Sequence, residues 1–356
     1  MTFRWYGPDQ DPVTLEQIRQ IPGMEGVITA LHEIPAGEVW PEEKVRERVA
    51  IVEKSGLKLM GVESINIHED IKYGANTRDR LIDNYIKSLE AVGKCGIRMV
   101  CYNFMPVFDW TRTELARKRE DGSTVLAYTQ DAVDAINPEE MFSSISGDMN
   151  GTVMPGWEPE RMARVKELFE MYKDIDEEKL FQNLVYFLKA IMPVCNQYDI
   201  KMAIHPDDPA WSVFGLPRII NNEKNILRLM NAVDDVHNGV TFCAGSYGTS
   251  LANDLPHMIR TLQGRIHFAH VRNLKFITPT NFEEAAHLSS DGTFDMYEIV
   301  RALYETGFSG PIRPDHGRMI WGEVAMPGYC LYDRALGATY INGLWEAIEK
   351  SHERGV

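Results

Sequence analysis

The stretch GPIRPDHGRMIWG, residues 310–322, sets Arg313, Asp315, His316 and Arg318 close together where a short apolar run ends. Three earlier runs do something similar. IKMAIHP (200–206) carries His205, GVTFCAGS (239–246) carries Cys243, and RIHFAHVRN (265–273) carries His270. Four successive runs therefore each bring a metal-capable side chain near a C-terminal end. A lone histidine or strand cysteine is usually a packing residue, and an aspartate after a strand is usually a helix cap. Repetition at equivalent places in separate runs is not explained by those roles. His267 and His270 lie three apart, so a strand points them to opposite faces, and His270 is nearer the end. Two imidazoles, a thiolate and a carboxylate suit one divalent transition metal. Zn²⁺ accepts all four, but a closed four-ligand zinc site is ordinarily structural. Fe²⁺ or Mn²⁺ takes five or six ligands and leaves room for a chelating substrate.

These side chains meet only if the strands that carry them converge. Candidate strands cover 3–7, 26–31, 57–64, 98–104, 200–206, 239–246, 265–273 and 310–317. Helical patterns cover 41–56, 80–96, 177–199, 222–234, 255–264 and 295–307, and a closing helix spans 335–352. Several helices end on Gly just before the next strand, a helix-stop signal. Near-continuous apolar strands alternating with amphipathic helices predict an α/β fold, a (β/α)8 TIM barrel, in one domain over 1–356. In such a barrel the C-terminal strand ends share one face. A doubly wound sheet and NAD-dependent oxidoreduction both lose ground, because no Gly-rich turn follows the first strand. Residues 105–176 break the repeat and are read as a capping insertion after the fourth strand, with REDGSTVLAYT as a hairpin turning at Asp-Gly.

Composition narrows the class. The chain has 356 residues, 44% hydrophobic and 25% charged, with a formal net charge of −15. That charge argues against a nucleic-acid partner or an anionic membrane. No apolar run approaches the ~18 residues of a membrane span, and the start MTFRWYGPDQ lacks signal-peptide features. Cys95, Cys101, Cys195, Cys243 and Cys330 are odd in number and scattered, which points to free thiols in a cytoplasmic protein.

The segments FRWYGPDQDPVTLEQIRQIPG, GVITALHEIPAGEVW, AIHPDDP, TFCAGS, FAHVRN and RPDHGR…MPGYCLYDRALG together resemble the mannonate dehydratases. These are metal-dependent enzymes of hexuronate breakdown on a xylose-isomerase-like barrel. The resemblance runs from residue 3 to about 345, departing at Cys330, where a small residue is expected. It implies that the family's His, Cys, His, Asp ligand pattern falls on His205, Cys243, His270 and Asp315, with Mn²⁺ or Fe²⁺ bound. It also implies conversion of D-mannonate, a small sugar acid, to 2-keto-3-deoxy-D-gluconate and water. The choice of mannonate over other aldonates comes from the resemblance alone.

For that elimination, His316 is the acid/base candidate, since imidazole titrates near neutral pH. Tyr329 is a candidate proton donor to the leaving hydroxyl. Asp315 is a ligand first, and a base only if it gives up coordination. Arg313, Arg318 and Arg272 are cations for the substrate carboxylate, and Arg4, His32, His68 and Asn103 are candidates to line the sugar pocket. Trp110 and Trp157 belong to the cap or to an oligomer contact, a homo-oligomer being the expected assembly. The alternatives are a metal-dependent sugar isomerase or epimerase on the same barrel, which more often uses carboxylate-rich ligands, and a non-catalytic metal or sugar-acid binding protein.

Overall fold

The computed structural model describes residues 1–135 and 164–353. Eight strands pair in parallel in chain order: Thr2–Arg4, Gly26–Thr29, Lys58–Glu63, Met99–Tyr102, Lys201–Ile204, Asn238–Cys243, Ile266–His270 and Ile312–Arg313. The Thr2 hydroxyl donates to the Ile312 carbonyl at 2.9 Å, drawing the first and last strands together. The result is the nearly closed (β/α)8 barrel that the alternation predicts. Ile28, Met99, Cys101, Ala203 and Phe268, from strands two, four, five and seven, fill its interior. A larger apolar cluster joins the strands to the surrounding helices.

Strand ends differ from expectation for local reasons. The last strand shrinks to Ile312–Arg313, because Pro311 and Pro314 flank it and offer no N–H to a ladder. The sixth stops at Cys243, where the helix Ala244–Gly248 begins and the Cys243 sulfur accepts from Ser246 N. Within the seventh strand, His267 turns away to the Met202 carbonyl at 3.0 Å, while Phe268 and His270 share the interior face.

A second sheet has four antiparallel strands in the order Leu274–Thr278, Asn281–Glu284, Thr124–Tyr128 and Glu114–Lys118. One of its hairpins follows the fourth barrel strand and turns at Asp121-Gly122, where Gly122 takes the left-handed φ of 83° that such a turn favours. The other follows the seventh strand and was not expected. It starts only four residues after that strand ends, at Leu274, where no separate turn signal announces it. Arg119 ties the hairpins together, reaching Glu283 at 3.2 Å and Asp291 at 2.9 Å. Residues 136–163 of the expected 105–176 insertion, Trp157 among them, lie outside the described residues. Its entry loop is pinned by Lys72, which donates to Glu69 at 2.8 Å and to the Met105 carbonyl at 2.7 Å.

Candidate active site and metal centre

At the C-terminal mouth of the barrel the interior changes from apolar to polar. A cavity there is lined by Arg4, Tyr6, Glu63, Asn103, Trp110, His205, Asp208, Arg272, Arg313, Asp315, His316 and Tyr329. His205 follows the fifth strand, and Cys243 and His270 end the sixth and seventh. One ligand atom from each of these three lies within 4.8 Å of the others. Asp315 completes the group, with Oδ2 3.7 Å from the Cys243 sulfur and Oδ1 3.6 Å from His270 Nδ1.

The turn that presents Asp315 is held on several sides. Its φ is 66°, left-handed, which Asp tolerates better than most residues. His287 Nε2 reaches the Pro314 carbonyl at 2.6 Å and holds the turn from outside. Arg313 donates to Asp315 at 2.7 Å, and Arg272 Nε lies 3.1 Å away. Burial works against the charged carboxylate, but the Arg313 and Arg272 guanidinium groups beside it hold Asp315 well below the usual carboxylate range.

The donor set fits a cation. His270 is fully buried, and neither ring nitrogen has a hydrogen-bond partner among the described residues. Leaving two such atoms unsatisfied is costly, and a bound metal would relieve it. Burial first, and Arg313 next, keep the His270 ring neutral, as coordination requires. His205 Nδ1 is tied to the Pro206 carbonyl at 2.8 Å, leaving Nε2 for the site. For His205, burial is outweighed by the Cys243 sulfur, Glu63 and Asp315, so its pKa is pushed up to about 9. The negative groups gathered around His205 are ones that a cation would neutralise.

Beside the ligands lies a buried ionic cluster. Arg112 donates to both Asp208 oxygens, at 2.7 and 3.1 Å, and to Glu284 at 2.9 Å. Arg272 pairs with the same two carboxylates. Arg313 grips Glu63, whose Oε2 lies 3.1 Å from Arg4 Nη1. Burial raises the Glu63 pKa, but Arg313, Arg4 and the histidines bring it down to about 2. His316 Nε2 lies 3.0 Å from the Tyr329 hydroxyl, and Trp110 packs 5.9 Å from the His316 ring. Burial pushes the Tyr329 phenol well above its usual pKa, so it is a neutral O–H donor.

The structure thus gathers His205, Cys243, His270, Asp315, His316, Tyr329, Arg313, Arg272, Arg4 and Asn103 at one mouth, with Trp110 in the wall. Others stand apart. Arg318 is bound to Asp333 at 2.8 Å and Asp121 at 3.1 Å, outside the cavity lining. His32 stacks behind Tyr6 at 5.2 Å, and His68 caps the helix Glu69–Tyr73. Sequence reasoning missed Glu63, Asp208, Arg112, Glu284 and Tyr6. Glu63 lies next to the end of the predicted strand 57–64 and Asp208 sits in HPDDP, so both carried the strand-end signal. Arg112 and Glu284 arrive on the second sheet, which no barrel repeat announces.

A family model described as D-mannonate dehydratase (UxuA) matches residues 1–355. The chain is 63% identical over 350 residues to a mannonate dehydratase of Brachyspira hyodysenteriae, covering 98% of this chain and 99% of the relative. It is 56% identical over 356 residues to one of Thermotoga maritima, covering 99% of each. It superposes on the crystal structure of mannonate dehydratase from Streptococcus suis serotype2 with a TM-score of 0.90 and 46% identity, over 99% of this chain and 95% of that one. A xylose isomerase domain protein from Planctomyces limnophilus matches at TM-score 0.56 and 12% identity, over 98% of each chain, a likeness of fold alone.

Proposed function

The chain belongs to the D-mannonate dehydratase family, and we infer that it removes water from D-mannonate to give 2-keto-3-deoxy-D-gluconate. The observation that carries the reading is the meeting of His205, Cys243, His270 and Asp315 at the barrel mouth, beside the His316–Tyr329 pair.

A divalent metal, proposed as Mn²⁺ or Fe²⁺, would be held by those four residues, and when bound supplies Lewis-acid stabilisation of negative charge developing on the substrate. Arg4 is the carboxylate anchor. It lines the cavity with Nε lacking a hydrogen-bond partner among the described residues, while Nη1 is ion-paired with Glu63 at 3.1 Å. Arg313 and Arg272 add positive field while staying committed to Glu63, Asp315, Asp208 and Glu284, and Asn103 lines the sugar end. His316 takes the proton from C2 on Nε2. Tyr329 donates its hydroxyl proton to the departing C3 oxygen, and the 3.0 Å hydrogen bond returns the captured proton from His316 to Tyr329. The enol that remains ketonises at C2. Each proton removed is thereby accounted for in the water released. The start of the expected insertion limits water around the reacting carbons, since Met105, Asp109 and Trp110 line the cavity.

We assign the reaction to hexuronate breakdown. A cytoplasmic setting is supported by five free thiols. No helix among the described residues is long and apolar enough to cross a membrane. A homo-oligomer is supported by the exposed Trp321, Val324 and Leu336. The test of the function is incubation of metal-loaded protein with D-mannonate, assayed for a 2-keto-3-deoxy acid. Turnover should vanish with chelator and return with Mn²⁺ or Fe²⁺. His316→Asn should keep fold and metal but lose turnover by about a hundredfold or more. Full activity in metal-free protein, or in His316→Asn, would overturn the reading.

A further inference from the structure

We propose that Glu284 is a positioning residue for His316, which makes the appended four-stranded sheet part of the catalytic assembly. The proposal rests on the role given to His316 above.

Glu284 ends the strand Asn281–Glu284 in the hairpin after the seventh barrel strand, and it is 1% exposed. Its Oε1 lies 3.1 Å from His316 Nδ1. The same oxygen receives Arg112 Nη2 at 2.9 Å and Arg272 Nη1. Arg272 Nη1 in turn lies 2.7 Å from His316 Nδ1. One ring nitrogen therefore faces both a guanidinium, which can only donate, and a carboxylate, which can only accept. The two neighbours ask for opposite tautomers.

If Nδ1 accepted from Arg272, the ring hydrogen would sit on Nε2 and point at the Tyr329 oxygen. His316 could then take no proton on that side. Glu284 resolves the conflict in two ways. It is the stronger acceptor for Arg272, because that bond is ionic at both ends. It also offers an acceptor to Nδ1–H. The hydrogen then stays on Nδ1, and Nε2 keeps its lone pair toward Tyr329 and the cavity. This is the arrangement by which a carboxylate orients a catalytic imidazole. Arg112 donates to that same carboxylate oxygen, and its other contact, Asp208, also accepts from Arg272.

Both outer members of the cluster come from additions to the barrel. Arg112 stands just before the strand Glu114–Lys118, and Glu284 ends the facing hairpin. The two hairpins pair through Phe282 with Tyr128 and Glu283 with Ala127. Formation of that sheet is what brings Glu284 over the barrel mouth to His316.

A merely structural Glu284 would neutralise Arg112 and Arg272 and act independently of His316. A double-mutant cycle on metal-loaded enzyme separates the two roles. Glu284→Gln should lower kcat by roughly 100-fold, with KM and bound metal within about threefold of wild type. In the His316→Asn background the same substitution should change kcat by less than about threefold, because the group it positions is already gone. If Glu284→Gln does not fold, Glu284→Asp enters the same cycle; it keeps a negative charge in the cluster but draws the carboxylate back from Nδ1. Losses that multiply across the cycle, or a change in KM alone, would overturn this proposal and leave the His316 role standing. Wild-type turnover in His316→Asn by itself would overturn both.

Discussion

Asp208→Asn probes how the buried charges hold the active site. Asp208 is 1% exposed, yet it accepts from Arg112 through both oxygens, from Arg272, and from the Ser246 hydroxyl at 3.0 Å. Burial alone would raise its pKa; Arg112 and Arg272 hold it far below the normal carboxylate range. Asparagine keeps the volume but turns one acceptor into a donor that faces guanidinium N–H groups. Two buried arginines are then left to share Glu284. Removing one partner of a buried ion pair costs about 3–5 kcal/mol. For 356 residues the unfolding entropy is about 0.7 kcal/mol/K, so Tm should fall by roughly 4–7 °C. The control is Glu178→Gln, which breaks the exposed Arg228–Glu178 contact at 2.6 Å and should move Tm by less than about 1 °C. Calorimetry on both variants with the same saturating metal gives the comparison. Equal shifts would refute the claim that this cluster, rather than ion pairing in general, holds the barrel mouth together.

Cys243→Ser should weaken metal binding more than tenfold by titration, whereas Cys95→Ser, whose sulfur merely faces the Glu42 carbonyl at 3.7 Å, should leave it unchanged. Arg4→Gln should raise KM for D-mannonate by roughly 10- to 100-fold, the worth of a charge-assisted hydrogen bond, while Arg318→Gln should leave kcat/KM within about threefold in steady-state assays. Acid should loosen the site in a defined window. Burial opposes ionisation of Glu284, but Arg272, His316 and Arg112 bring its folded pKa down to about 2, and Glu63 is likewise near 2. A depressed carboxylate pKa gives stability that is complete above the unfolded value near 4.5 and is lost as pH falls through about 2, at most about 3 kcal/mol for each group. Urea unfolding between pH 5 and 3 should therefore show falling stability, and Glu63→Gln should flatten that slope; a variant as steep as wild type would count against the assignment.

The barrel and the grouping of His205, Cys243 and His270 at one mouth were legible in the sequence because both depend on a local signal repeated many times. Apolar runs that alternate with amphipathic helices leave few topologies. Once a strand belongs to a barrel, a His or Cys at its C-terminal end must face one mouth, so His205, Cys243 and His270 could be grouped though they lie dozens of residues apart. Even the choice of His270 over His267 follows from a strand's two-residue period. Arg318 shows the limit of such reasoning. It lies close to Asp315 in sequence, yet its partner Asp333 on the closing helix turns it away from the cavity. Glu284 and Arg112 show the converse. Nothing in their own segments marks them, because their position comes from one hairpin pairing with another across about 150 residues of chain. Pairing partners, the direction of long charged side chains and the sharing of carboxylates among arginines are set by which surfaces meet. Those were decided by the tertiary structure alone.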